Sequence, residues 1–287
     1  MTRVVLITND STYGQRVLHA LSQRGVVLDA ALVLTGSFGF PRPRGVGLVG
    51  RILRWPKWTA AAARRKVQFH RRRRAAYASC CARVIATDVM NGPGLLRHLR
   101  ELAPEWIILG GGGILGREVI GTARAGVLNA HPALLPWIRG CGVTGASLDH
   151  GVALGATLHF VDVGIDTGPV VERRLLAVTA DDTELAPLER ACEELAAEML
   201  VNVVEFLVRR GGVATGVAQT RRYPLFRWPG PDGRLRHRAA ASAGRPHALY
   251  LEWRLLCTGT DSDVLPARLI DAPTTLTLES LESLRPP

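Results

Sequence analysis

Lysine is almost missing from this chain. Of its 36 basic residues only Lys57 and Lys66 are lysine and the other 34 are arginine. With a net charge of +11 and a sequence pI ≈ 10.4, the skew has two readings. One is arginine-rich coding in a GC-rich genome. The other is an anionic partner such as a nucleotide, a phosphorylated metabolite or RNA. Cysteine is sparse too: Cys80, Cys81, Cys141, Cys192 and Cys257 are odd in number and form no C-x-x-C. That argues against a disulfide framework and a structural zinc site, and for small buried thiols in a reducing compartment. No apolar run approaches the roughly 20 residues a membrane span needs. The N-terminus enters Val4-Val5-Leu6-Ile7 at once, without the charged start and cleavage site of a signal peptide. A cytoplasmic protein without a membrane anchor is the expectation.

What is present is ordinary for a globular protein: 47% hydrophobic and 21% charged residues. The length of 287 residues suits one large domain with a small appendage. Val4–Thr8 reads as a buried strand. Asn9 to Thr12 are capping residues, Tyr13–Gln23 has helical spacing, and Val26–Leu34 is again strand-like. Such a β-α-β opening predicts an α/β fold, Rossmann-like, with a mostly parallel sheet and flanking helices. The alternation continues through a helix at Gly92–Glu101 and strands at Val84–Ala86, Trp106–Leu109 and Val127–Asn129. Ala156–Val161 and Pro169–Ala177 read as paired strands, and Thr183–Arg210 as a long helix ended by Gly211-Gly212. Thr59–Cys81 reads as a very basic helix. Its Arg64–Arg74 stretch is either a solvated face or a phosphate-contacting one. After Gly211 the chain turns Pro/Arg/Gly-rich, with apolar pieces at Ala248–Cys257 and Thr275–Leu278. Residues 1–210 therefore read as the large domain and 211–287 as a small accessory segment.

Gly111-Gly112-Gly113-Ile114-Leu115-Gly116 follows a strand and matches G-x-G-x-x-G. A dinucleotide site is disfavoured. The match lies outside the first β-α-β unit, and the next strand ends at Asn129 rather than at an acidic residue that could hold a ribose. A backbone laid bare for some other flat ligand, or a purely structural turn, remains.

The chemistry concentrates in Asn129-Ala130-His131-Pro132-Ala133-Leu134-Leu135-Pro136 and in His159-Phe160-Val161-Asp162-Val163-Gly164-Ile165-Asp166-Thr167-Gly168-Pro169. Pro132 biases His131 toward extended backbone, so Asn129 and His131, two apart, point the same way. They leave the carboxyl end of a strand, the edge where open α/β sheets bind ligands. The loops at Asn9–Thr12 and at the glycine run leave carboxyl ends too, so all three are expected to line one crevice. No histidine shows metal-ligand spacing, and no metal is expected. A nucleophilic enzyme is disfavoured, since Ser147 and Cys141 near His150 lie in no G-x-S-x-G elbow.

Asn-x-His followed by Leu-Leu-Pro, with a distal Gly-x-Asp-x-Gly, resembles the folate-dependent formyltransferase family over roughly residues 1–210. Ala133 departs from it, standing where a serine is common. The resemblance implies a catalytic domain at 1–210 with Asn129, His131 and Asp166 as its catalytic residues. It implies 10-formyltetrahydrofolate as formyl donor, with the pteridine cradled by Gly110, Gly111, Gly112, Gly113, Ile114, Leu115 and Gly116. The favoured acceptor is a small-molecule amine, such as a nucleotide-linked amino sugar or a specialised metabolite. Its expected contacts are Asn9, Asp10, Ser11, Tyr13, Trp137 and Arg139. Methionyl-tRNA formylation, hydrolysis of formyl-folate and a non-catalytic RNA-binding module are the alternatives. The C-terminal segment is also a candidate oligomerisation element, which would make a homodimer.

Overall fold

A computed structural model of the chain describes residues 2–35, 74–87, 89–220, 223–257 and 263–265. The basic stretch at 64–73 and the apolar piece at 275–278 lie outside the described residues. So does most of the helix expected at 59–81. Of that helix Arg74–Ala78 is helical, but Cys81 already begins a strand, where its side chain is buried.

The described elements are β1 (Val4–Thr8), α1 (Thr12–Gln23), β2 (Leu28–Leu34), α2 (Arg74–Ala78), β3 (Cys81–Thr87), α3 (Pro93–Leu102), β4 (Trp106–Gly110), α4 (Arg117–Ile120) and β5 (Gly126–His131). They continue with β6 (Arg139–Gly140), α5 (Val143–Asp149), β7 (Gly155–Phe160), β8 (Val170–Leu175), α6 (Leu185–Arg210), β9 (Leu225–Phe226), α7 (Pro231–Ser242), α8 (Arg245–Arg254) and β10 (Val264–Leu265). No helix among the described residues is long and apolar enough to cross a membrane. The sheet is mostly parallel and the helices flank it, as the β-α-β pattern predicts.

The chain forms two compact units, residues 1–128 with 201–213, and residues 129–200 with 214–287. In the first, the strand order is β3-β2-β1-β4-β5 and every pairing is parallel. The chain moves outward from β1 to β3 and then returns to lay β4 against the other side of β1. That reversal is a topological switch point, where open α/β sheets hold ligands outside the carboxyl ends of the strands. Val4, Val5, Leu6 and Ile7 are all buried, because a parallel strand is covered on both faces. Ser11 caps α1 by accepting from the Gly14 N–H (3.2 Å), and α1 buries Gly14, Val17, Leu18 and Leu21 at helical spacing. Pro93 opens α3, whose Leu95, Leu99 and Leu102 are buried.

In the second unit β5, β7, β8 and β10 are neighbours in that order, with β7–β8 and β8–β10 antiparallel. One core cluster joins Leu134, Trp137, Leu148 and Cys192 to Ala241, Leu249 and Trp253. Composition breaks at Gly211, yet α7 and α8 beyond it share this core, because their apolar side chains have a place to be buried there. Trp137 and Trp253 meet edge to face at 4.9 Å, a favoured aromatic geometry.

The end of β1 and the end of β4 are joined by Thr8 Oγ1 donating to the Gly110 carbonyl (2.7 Å). A methyl group on Gly14 would lie 2.3 Å from that hydroxyl and 2.4 Å from that carbonyl oxygen. Gly14→Ala is therefore expected to destabilise the protein by about 1–3 kcal/mol through overpacking. Urea unfolding of the variant beside wild type measures this, and an unchanged midpoint would show that the junction yields freely.

Candidate active site

The His131 ring is buried, at 5% exposure. The chain after it folds back through Pro132–Ile138, with Ile138 N–H donating to the Leu134 carbonyl (3.1 Å). Thr157 pins this turn: its hydroxyl donates to the Ala133 carbonyl (2.8 Å) and accepts from the Leu135 N–H (3.0 Å). The turn brings the Ile138 carbonyl to 3.0 Å from His131 Nε2. A carbonyl only accepts, so Nε2 carries the proton. The other ring nitrogen, Nδ1, faces Asp166 Oδ2 at 3.7 Å.

Asp166 reaches this place through an unusual loop. Asp162 Oδ1 accepts from the Gly164 N–H (3.0 Å) and the Thr167 hydroxyl (2.6 Å). Asp166 itself stands at φ +53, a left-handed conformation that non-glycine residues seldom adopt. A Cβ on Gly168 would lie 2.0 Å from the Phe160 carbonyl oxygen, and one on Gly164 2.0 Å from Thr167 Oγ1. The two glycines of Gly-x-Asp-x-Gly are therefore required by close contact. Gly140 donates its N–H to Asp166 Oδ2 (2.8 Å), and Arg139 Nε and Nη2 both donate to the Ile165 carbonyl (2.9 and 2.7 Å). Burial works to raise the Asp166 pKa. His131 foremost, with the Gly140 N–H and the Arg139 guanidinium, outweighs it and holds the carboxyl below its ordinary value.

His159, which the sequence pattern left without a role, completes the cluster. The β7–β8 register slips beside it, between Leu158 and His159, a device that re-aims side chains. Its Nδ1 lies 2.7 Å from the Phe160 carbonyl and so carries the proton. Burial pushes its pKa down to about 4, against the pull of Asp166. The neutral ring therefore offers a bare Nε2, 3.2 Å from Asn129 Nδ2. Asn129 must present an N–H there, which fixes the orientation of its amide. One further amide N–H of Asn129 is left for another acceptor. A histidine in the buried strand Gly155–Phe160 was the available signal for His159. Nothing in the sequence could have shown which partner it meets.

The other expected site residues divide. Trp137 is a correction: at 2% exposure it packs against Trp253 and beneath the Arg173 guanidinium (5.4 Å), so it has no surface for an acceptor. Arg139 points its guanidinium at the Ile165 carbonyl and at that of Tyr223 (2.8 Å). Asn9 and Ser11 shape the turn after β1, with Asn9 Oδ1 accepting from the Ser11 N–H (3.1 Å). Asp10 stands at φ +57 and accepts from the Tyr77 hydroxyl (3.0 Å). Tyr13 lies in the first turn of α1. The glycine run leaves β4 at the switch point. There a Cβ on Gly111 would meet Ser11 Oγ at 2.5 Å, so these two loops adjoin. Gly113 has open space where a Cβ would stand, and Ile114 is 58% exposed. Asn91 clamps this run, donating to the Ile114 carbonyl (2.8 Å) and accepting from the Gly116 N–H (2.6 Å). No group of three or more His, Cys, Asp or Glu side chains suited to a metal occurs among the described residues.

The fold thus presents an α/β sheet with a switch point between β1 and β4, and a largely enclosed amide–imidazole–carboxylate cluster at the end of β5. The formyl transferase family profile matches residues 1–204, and the chain belongs to that family. Its curated relatives include the methionyl-tRNA formyltransferase of Roseiflexus sp., 27% identical over 200 residues, which are 65% of this chain and 59% of that protein. The chain spans between 39% and 59% of the length of the first such relatives. Among solved structures, a sugar N-formyltransferase from Shewanella sp. superposes with a TM-score of 0.50 at 12% identity, over 84% of this chain and 88% of that one. Phosphoribosylglycinamide formyltransferase from Bacillus halodurans gives a TM-score of 0.50 at 16% identity, over 74% and 97%. At these identities the structures share the fold.

A protonation switch follows from His159. An unfolded histidine binds its proton near pH 6.5, whereas the folded ring resists it until about 4. Stability is therefore expected to fall as pH drops from 6.5 toward 4, by on the order of 3 kcal/mol. Asp166 adds its own loss only below its ordinary 3.8. Urea midpoints at pH 7, 5.5 and 4.5 should show this slope in wild type and a flatter one in His159→Gln. Equal slopes would mean that His159 is not held neutral by the fold.

Proposed function

We propose that the chain is an N-formyltransferase that moves a formyl group from 10-formyltetrahydrofolate to the primary amine of a small molecule. The observation that carries this reading is the convergence of Asn129, His131 and Asp166, with tautomers set by the Ile138 and Phe160 carbonyls. The catalytic domain is assigned to residues 1–210, with 211–287 accessory to it. The bare backbone at Gly113 and the exposed Ile114 suit the face of a flat ring, which supports Gly110–Gly116 as the donor cradle. The donor, when bound, supplies a formyl carbon attached to nitrogen. As an amine adds to that carbon, negative charge gathers on the formyl oxygen. The second amide N–H of Asn129 is available to it, a contact typically worth about 10²–10³ in rate. Asp166 takes the amine proton, directly or through a water, and passes it to the facing His131 Nδ1, which returns it to the departing nitrogen as the bond from that nitrogen to the formyl carbon breaks.

The curated relatives favour a second reading, methionyl-tRNA as acceptor. Residues 241, 249, 253 and 256, after Gly211, are built into the second unit's core. Incubation with formyl-tetrahydrofolate and either a panel of amines or charged initiator tRNA, followed by mass analysis, separates the two. Formyl gain on tRNA alone would replace the small-molecule reading. Release of formate without any acceptor would indicate hydrolysis.

Asn129→Ala, His131→Ala and Asp166→Ala are each expected to lower turnover at least about tenfold to a hundredfold. Near-normal turnover in all three would remove the catalytic assignment. Asn91→Ala, which unclamps the glycine run, is expected to raise the KM for the folate donor roughly tenfold, in keeping with one or two lost hydrogen bonds. An unchanged donor KM would place the folate elsewhere.

A further inference from the structure

Residues 212–220 are nearly devoid of regular structure, and their side chains are exposed or half-exposed. Their contacts nevertheless converge on one place. Val217 bridges to Val170, at the end of the Asp166 loop, through hydrogen bonds of 2.7 and 2.8 Å. Gly216 lies so close to Pro169 that a Cβ would approach it to 2.9 Å. β9 pairs with β6, which contains the Gly140 that donates to Asp166. Between these attachments Gln219 Nε2 donates to the Gly168 carbonyl (2.6 Å) and lies 3.3 Å from the Asp166 carbonyl. Both partners only accept, so the side-chain atom facing them is the nitrogen.

We infer that Gln219 is a positioning residue: its amide ties residues 214–220, as a strap, across the 162–168 loop and holds Asp166 in the left-handed turn that brings its carboxylate to His131. The inference rests on the proposed catalytic role of Asp166. A φ of +53 at an aspartate is a conformation that persists only where the surroundings enforce it. Arg139 enforces it from one side, through the Ile165 carbonyl, and Gly140 through the carboxylate. Gln219 alone among the described side chains donates to the backbone carbonyls of Asp166 and Gly168. The strap buries little apolar surface of its own, so its purchase on the loop depends on these polar contacts.

Gln219→Glu keeps the shape and removes the N–H donors, placing a carboxylate against two carbonyl oxygens. Gln219→Ala removes the contact. Gln219→Lys keeps donors. Thr215→Ala, exposed on the same strap, is the control. Amide hydrogen exchange in the loop, followed at Gly164 and Asp166, should quicken at least tenfold in the Glu and Ala variants and stay near wild type in the Lys and Thr215 variants. Formyl-transfer kcat should fall roughly tenfold to a hundredfold in the Glu and Ala variants, as small misplacements of a reacting group do, with the KM for donor and acceptor unchanged. Unchanged exchange would overturn the inference. So would faster exchange with an unaltered kcat, or an equal loss in the Lys and Glu variants. If the wild-type protein transfers no formyl group, the catalytic reading falls, while the exchange data still decide whether Gln219 holds the loop.

Discussion

The contact on which the site depends is the one between the Asp166 carboxylate and two groups of the β5–β6 region, the Gly140 N–H at 2.8 Å and the His131 ring at 3.7 Å. A carboxylate this deeply placed would rather take up a proton than stay charged. It keeps its charge because donors and a basic ring surround it. The backbone that delivers it is itself in a conformation that must be held from outside. Chemistry and strain therefore meet at one residue, and most of the loop contacts around residues 162–168 answer that requirement.

Two buried imidazoles share this carboxylate without being interchangeable. The difference lies in which backbone carbonyl each one meets. The Ile138 carbonyl claims Nε2 of His131 and leaves Nδ1 facing the carboxylate. The Phe160 carbonyl claims Nδ1 of His159 and leaves Nε2 as a pure acceptor for Asn129. One ring thereby turns its second nitrogen to a carboxylate and the other to an amide. The assignment needs no observed hydrogen, because carbonyl oxygens admit only one sense of each bond.

In the first unit a different logic prevails. Return of the chain from β3 to β4 sets the β1 and β4 loops side by side, and the close approach of Gly14 to Thr8 and Gly110 makes their junction tight. The turn residues there are engaged with one another: Asn9 with Ser11, Ser11 with Gly14, and Asp10 with Tyr77. Beside this turn Ile114 is exposed and Gly113 has open space where a Cβ would stand.

The linear order of residues by itself determined the α/β class, since buried β-branched runs alternating with capped amphipathic helices admit little else. It also determined the glycines and turn residues that let Asn129, His131 and Asp166 stand where they do. It could not show that His159 serves Asn129, that Trp137 is core, or that residues beyond Gly211 reach back to the Asp166 loop. Each of those depends on contacts between strands and turns far apart in the chain: a register slip at His159, an edge-to-face pair with Trp253, an amide at Gln219 facing two carbonyls. Local pattern records what a segment prefers. Only tertiary structure decides which distant donor meets which acceptor, because that choice is made by the packing of the whole fold.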